Sequence, residues 1–191
     1  TPLSNFEANM DYRDVEDPSI YFTLDARDNY KKIIKGDKFL VWTTTPWCIP
    51  GNLAIAVGKE IEYSRISIKN NFYWIATDRL FEMKDHEIEI VDVSYGKDLI
   101  GATYIPAYNE YEHLFKEGAF RIIHSDDTNT ESGSGLVSQA PAYGESDFYA
   151  LKNANIDVIA DPVSLSGRFD STFKELNGLN VKDADKLIMD Q

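Results

Sequence analysis

Residues 41–52 read VWTTTPWCIPGN, and this stretch decides how the chain is to fold. An apolar run, Phe39, Leu40, Val41 and Trp42, leads into three consecutive threonines, as a buried strand does. The strand has to stop there. Pro46 carries no N–H and biases Thr45 toward an extended conformation. Pro50 and Gly51 then impose a second turn before Leu53–Val57 (LAIAV) resumes as strand. The product is strand, kinked loop, strand, with hydroxyls and one amide on the loop. Such a loop on a rigid sheet is a common place for a binding site.

Working outward, a second dense motif lies at Gly133–Asp147, GSGLVSQAPAYGESD. Together the two stretches resemble the editing domain of isoleucyl-tRNA synthetases, whose signatures run TTTPWT-L-P-x-N-x-A-I-A and G-T-G-x-V-H-x-A-P-x-x-G-x-x-D. Order and separation both match. Tyr12–Tyr21 and Asp161–Asp185 resemble the strands that lead into and out of that domain, so the resemblance covers nearly the whole chain. Leucyl and valyl relatives usually carry T-T-R-P, so Thr45 favours the isoleucyl member, and the tail resembles its cytosolic eukaryotic-type branch, shared by some bacteria. The resemblance implies a mixed α/β, mainly β fold: a closed β-barrel core with peripheral helices, residues 1–191 forming one domain excised from a larger synthetase.

The remaining chain is consistent with many short strands and few helices. Ser19–Leu24, Lys38–Thr44, Phe120–His124 and Leu136–Ala140 are expected strands, and Tyr63–Ile68 with Phe72–Thr77 a hairpin around Lys69-Asn70-Asn71. Asp78 is expected to cap a short helix through Lys84, and Glu87–Val93 to be a half-buried alternating strand. Gly96–Pro106 is expected as loop and strand, Tyr108–Gly118 as an irregular surface segment and Ser125–Gly133 as an exposed loop. Helices are expected over Glu145–Ala154 and Val181–Met189, with Val158–Pro162 a strand or linker. Thr1–Asp17 is polar and acidic.

Composition narrows the function. The 191 residues suffice for one domain with a sizeable core. No apolar run approaches the ~20 residues that span a bilayer, and the N-terminus lacks a signal-peptide pattern. One cysteine, Cys48, makes no internal disulfide, which fits a cytoplasmic protein. A net charge of −13 argues against broad gripping of a nucleic-acid backbone. A tRNA partner would be held here by its 3′ end alone. His86, His113 and His124 are scattered, so no metal site is expected, and neither a phosphate-cradling glycine loop nor a nucleophile elbow is present. The domain itself needs no cofactor; ATP and Mg belong to the parent synthetase that the resemblance implies.

Asp147 is the leading candidate. A helix starting at Gly144 places it in the first turn, where the positive helix end favours a carboxylate. Residue pattern alone makes it a helix cap; the resemblance makes it the group that receives the α-ammonium of an aminoacyl ester. Thr43, Thr44 and Thr45 join it as the catalytic set, orienting water and the terminal adenosine with uncharged hydroxyls. Asn52, Trp47, Ser138, Gly144 and Tyr143 are expected around the substrate, backbone amides at Tyr143 and Gly144 facing the developing oxyanion. Ser138 stands where the resembling family has histidine at the amino-acid pocket, and serine predicts a roomier or rearranged sieve. The implied reaction is hydrolysis of mischarged valyl-tRNA(Ile). The alternative is a non-catalytic module that docks the tRNA end.

Overall fold

A computed structural model describes residues 19–190, and the Tyr12–Asp17 stretch lies outside them. Eight strands form one sheet: β1 (Ile20–Asp25), β2 (Lys38–Thr43), β3 (Ala54–Val57), β4 (Glu62–Ile68), β5 (Asn71–Ala76), β6 (Glu89–Tyr95), β7 (Arg121–His124) and β8 (Val137–Gln139). The helices α1 (Glu145–Asn153) and α2 (Val181–Met189) lie outside it.

Strand β2 is where the sheet divides. β1 runs antiparallel along all of it, from Ile20↔Thr43 to Asp25↔Lys38. The other edge is shared. β5 takes Lys38 and Phe39, and β8 takes Trp42 through Val137, both in parallel. Along one branch the order is β5, β4, β6; along the other it is β8, β3, β7. The second branch returns toward β1 through isolated bridges, Thr103↔Arg121 and Ala26↔Tyr104. The Ile105 amide donates to the Asp25 carbonyl at 2.9 Å. The expected closed barrel is therefore a curled half-barrel of strands whose gap is bridged by residues 101–105, not by a full strand. Its interior holds Phe39, Val41, Leu53, Ile55, Val57, Trp74, Tyr104, Ile122 and Leu136. β3 is buried at every residue, as a strand covered on both faces must be.

Several local expectations give way to tertiary context. The hairpin turn holds: Lys69 and Asn70 have φ of 48° and 66°, the left-handed pair that a two-residue turn of primed type requires. Asp78 does not cap a helix. The segment Thr77–Met83 is a 3₁₀ helix begun at Ala76 with no side-chain cap, and Asp78 instead accepts a long bond from the Thr130 hydroxyl. β6 starts later than expected and does not alternate. Its register against β4 shifts between Arg65 and Ile66, a bulge that leaves Ile90 and Val91 exposed. Gly96–Leu99 is a helical turn where loop was expected, and Glu112–Glu117 a 3₁₀ helix that buries Leu114. Val158–Pro162 joins no ladder, and Ser125–Gly133 is folded down enough to bury Thr128 and Gly133.

Beneath the β2–β5 junction sits a buried charge cluster. Asp37, 2% exposed, receives a bidentate pair of bonds from Arg65 (Nε 2.8 Å, Nη2 2.7 Å). It also accepts from the Trp74 indole (3.0 Å) and the Ile34 amide (3.0 Å). The guanidinium lies 4.0 Å from the Phe72 ring centroid. A pair so fully hydrogen-bonded stands inside the protein, but removing one member strands the other. Asp37→Ala should lower unfolding free energy by about 3–5 kcal/mol, read as a fall in the urea midpoint at unchanged slope.

Candidate active site

The two motifs meet through β8. This short strand is wedged between the ends of the threonine stretch: the Trp42 amide donates to the Leu136 carbonyl (3.0 Å), and the Leu53 amide donates to the Gln139 carbonyl (2.9 Å). Register sets Ile55 opposite Ser138. The bend before β8 depends on Gly133, whose φ is +67° and whose missing Cβ would lie 2.6 Å from the Trp42 ring. No other residue fits there. Arg79, buried, donates from Nε to the Gly133 carbonyl (2.8 Å) and clasps the turn from outside.

The threonine loop is a 3₁₀ turn, Pro46–Gly51, with Pro46 at its start. Thr43 is buried at the end of β2, and its hydroxyl accepts the Thr45 amide at 3.2 Å. The Thr43 and Thr45 hydroxyls are 3.4 Å apart. Thr44 points to solvent, as strand alternation requires. Cys48 lies under the turn. Burial above all pushes its thiol up to about 11, and the Asp147 and Asp185 carboxylates push the same way against a Thr45 hydrogen bond. Cys48 thus stays a neutral thiol beside Thr45 and within the field of Asp147.

Asp147 occupies the first turn of α1, with Gly144 at the N-cap. Its Oδ2 accepts the Ala140 amide at 2.8 Å, two residues beyond Ser138. Ser146 donates to Oδ1 over 3.4 Å. A Cβ on Gly144 would stand 3.0 Å from the Asp147 Cγ, a contact tight enough that the carboxylate folded back over the helix end would have to shift. Partial burial holds this carboxyl above the usual aspartate range; the Ala140 and Ser146 bonds oppose the shift, and Asp127 adds to it. A half-buried carboxylate in acidic surroundings favours a cationic ligand.

The structure links expected residues pairwise, Thr43 to Thr45, Trp47 to Tyr143 and Gly144 to Asp147, with the Cys48 thiol between Thr45 and the field of Asp147, and it redefines two expected contacts. Asn52 is buried, and its amide is fully engaged: Nδ2 donates to Ser138 Oγ (2.9 Å) and the Ala54 carbonyl (2.8 Å), while Oδ1 accepts the Tyr104 hydroxyl (2.6 Å). It braces the wall from behind and holds Ser138. The Tyr143 amide is spent on the Ala140 carbonyl (3.0 Å), so it is not aimed at an oxyanion. The Tyr143 ring instead packs edge-on against Trp47, centroids 4.8 Å apart.

Three supporting residues escaped the sequence reading. Asp185 on α2, 4% exposed, accepts the Trp47 amide at 2.8 Å and ties the closing helix to the threonine loop. Arg79 acts from a segment with no motif of its own. Tyr104 lies in the KDLIGATYIP run, residues 97–106, and Asp185 closes the Asp161–Asp185 stretch. Both stretches resemble the family without marking these side chains. Among the described residues, no cluster of three or more histidine, cysteine, aspartate or glutamate side chains is arranged to hold a metal ion. No helix among them is long and apolar enough to cross a membrane.

No family model matches the chain. In fold it is similar to a leucyl-tRNA synthetase CP1 domain, GlLeuRS-CP1, with a TM-score of 0.64 over 91% of this chain and 94% of that one at 13% identity. The P. knowlesi cytosolic leucyl-tRNA synthetase editing domain aligns over 81% and 80% with a TM-score of 0.62 at 9% identity. The architecture is thus that of a synthetase editing domain. In sequence the chain is similar to isoleucine–tRNA ligases over 99% of its length. It is 41% identical to that of Protochlamydia amoebophila, 40% to that of Bdellovibrio bacteriovorus and 37% to the cytoplasmic ligase of Saccharomyces cerevisiae. The chain spans 18% of the length of each of these ligases. The resemblance carried by the threonine and glycine motifs is therefore borne out as that of isoleucine–tRNA ligases, a cytoplasmic eukaryotic one included.

With its thiol pushed up to about 11, Cys48 should react with a thiol-titrating disulfide reagent at pH 8 far more slowly in the native chain than after denaturation. Equal rates in both states would show that the turn over Cys48 does not shield it.

Proposed function

We propose that the chain hydrolyses the ester bond of misacylated tRNA, valyl-tRNA(Ile) being its substrate. The observation that carries this reading is the Asp147 carboxylate, fixed by the Ala140 amide and acting on the same Cys48 thiol that the Thr45 side chain bonds. In the proposed complex Asp147, ionised, receives the substrate α-ammonium, a charge-assisted contact that sets the ester in one orientation. Thr43 and Thr45 then hold the terminal ribose and a water against the carbonyl. The aminoacyl ester is already activated, so alignment supplies much of the rate. Cys48, its thiol pushed up by burial, is a poor nucleophile, and the reading assigns it no covalent role.

Such a site answers a limit of pocket chemistry. One methylene separates valine from isoleucine, a difference of about 1–3 kcal/mol for which the isoleucyl enzyme is the standard example. A second pocket that admits only the smaller side chain removes the error. Here Ser138, held by Asn52, forms part of that pocket wall. Serine fills less space than the histidine of the resembling family, so the sieve must draw its size limit from neighbouring residues. A side-by-side assay of valyl- and isoleucyl-tRNA, with a complete isoleucine–tRNA ligase as reference, tests both points. Valyl ester hydrolysis alone supports the sieve; cleavage of both esters shows a pocket opened at Ser138, and cleavage of neither overturns the proposed activity.

Asp147→Asn should retain the Ala140 bond through the amide oxygen and lose the charge. Deacylation should fall about 10- to 100-fold, the scale of one hydrogen bond to a charged group. Because burial raises the Asp147 pKa in the folded state, the ionised form costs stability at neutral pH, and the variant should melt no lower than wild type. On acidification wild-type activity should decline at a pH above the ordinary aspartate range. Unchanged turnover in the variant would remove Asp147 from the mechanism.

A further inference from the structure

The hydrogen bonds behind Ser138 give its hydroxyl one direction. The Asn52 amide cannot be turned over, because Nδ2 faces the Ala54 carbonyl at 2.8 Å and a carbonyl only accepts. Its Oδ1 takes the Tyr104 hydroxyl at 2.6 Å. Tyr104 is fully buried, and burial holds its hydroxyl well above the usual tyrosine range, so that group stays protonated and donates. The second Nδ2 hydrogen goes to Ser138 Oγ at 2.9 Å. An amide NH₂ group donates and does not accept. Ser138 therefore accepts from Asn52, and its own O–H has to point elsewhere. No acceptor among the described residues receives that proton.

Sheet register places that hydroxyl. β2 and β8 run in parallel with Trp42 opposite Val137, so one position further on Thr43 comes beside Ser138. Adjacent strands lie about 4.8 Å apart, and paired residues project to the same face. On its other side Ser138 stands opposite Ile55, an apolar neighbour. Ser138 is half-buried, whereas Thr43 and Ile55 are buried. Two residues on, the Ala140 amide holds the Asp147 carboxylate, and two residues of strand span about 7 Å. An amino acid whose ammonium rests on Asp147 carries its β-carbon two bonds from the nitrogen. That reach matches the span to Ser138 once a hydrogen bond is added at each end.

On the reading of Asp147 as the ammonium site, which this inference requires, we propose that the pocket prefers an ester whose side chain has valine's shape with a hydroxyl in place of one methyl. Threonine is the natural case, and Ser138 is the donor to its hydroxyl. Threonine and valine are nearly isosteric, so a wall that limits size alone separates them poorly. A wall carrying a donor fixed from behind discriminates against the analogue that lacks an acceptor. Valine turns a methyl toward the Ser138 O–H. Threonine completes a chain of hydrogen bonds that begins at Tyr104, and bonds in such a chain polarise one another. The chemistry is the same ester hydrolysis: water supplies its hydroxyl to the carbonyl carbon, the ester C–O bond breaks, and the ribose oxygen leaves with the proton.

Valyl- and threonyl-tRNA(Ile) are assayed on wild type and on Ser138→Ala, and the readout is the ratio of the two kcat/KM values. Wild type should favour the threonyl ester about 3- to 10-fold, the scale of one neutral hydrogen bond, and Ser138→Ala should bring the ratio near one. The ester of threonine's β-epimer, with hydroxyl and methyl exchanged, separates direction from polarity, and it should lack the threonyl advantage. A wild type that does not favour threonine, or equal rates for the two epimers, overturns the donor. So does an equal loss on both esters in Ser138→Ala, which would mean that the hydroxyl serves the shared carbonyl or braces the wall. Should wild type hydrolyse no ester, the activity reading falls, and binding of the amide-linked valyl and threonyl analogues of the adenosine end decides. Tighter binding of the threonyl analogue, lost in Ser138→Ala, supports the donor; equal Kd values overturn it.

Discussion

The structure hangs on the wedging of β8 between β2 and β3. Three residues, Val137–Gln139, pair in parallel with one arm of the threonine stretch and antiparallel with the other. Backbone groups within the barrel have nowhere else to find partners, and a buried unpaired amide is costly. Removing β8 would open the sheet at Trp42 and Leu53 together. The same wedge brings Ser138 to Asn52 and Ala140 to Asp147, so the ladder that closes the core also positions the proposed site. Fold and chemistry share one set of hydrogen bonds.

Around that wedge, polar groups are spent on holding loops. Asn52 joins Ser138 to Tyr104, Arg79 clasps the Gly133 turn, and Ser134, fully buried, bonds both ways with Leu136 across its own bend. Each bond contributes only about 0.5–1.5 kcal/mol net, but each also removes alternatives for the chain. Glycine does the same by exclusion at 133, where a side chain would meet the Trp42 ring. The result is a rigid wall carrying a few hydroxyls and a single half-buried carboxylate.

Much of this was legible in the residues. The proline-bounded threonine loop, the Lys69–Asn70 turn and α2 over Val181–Met189 all follow from local chemistry, and the structure places them where that chemistry predicts. The failures share a cause: the deciding partner lies far along the chain. Asp78 looked like a cap, but its neighbour Arg79 is drawn to Gly133, fifty-four residues away. The alternation in β6 is broken by a bulge against β4, and Gly96–Leu99 coils where its residues suggested a loop. For the site, the motifs pointed to Asp147 and the threonines, but not to which polar atoms were already committed. Asn52 and the Tyr143 amide carry the right chemistry and spend it inward.

The tie between Asp185 and the Trp47 amide lies within a hydrophobic cluster smaller than that of the barrel core. The barrel core is one hydrophobic cluster; Ile49, Phe169, Phe173, Leu176, Ala184 and Ile188 form another, built from the loop and the closing segment. Proteins open locally in cooperative units whose free energies lie below the global value. The smaller cluster, detaching with α2, would release the threonine loop while the strands stayed paired. The proposed activity and foldedness would then be lost in separate steps on heating, the first invisible to any probe of sheet content.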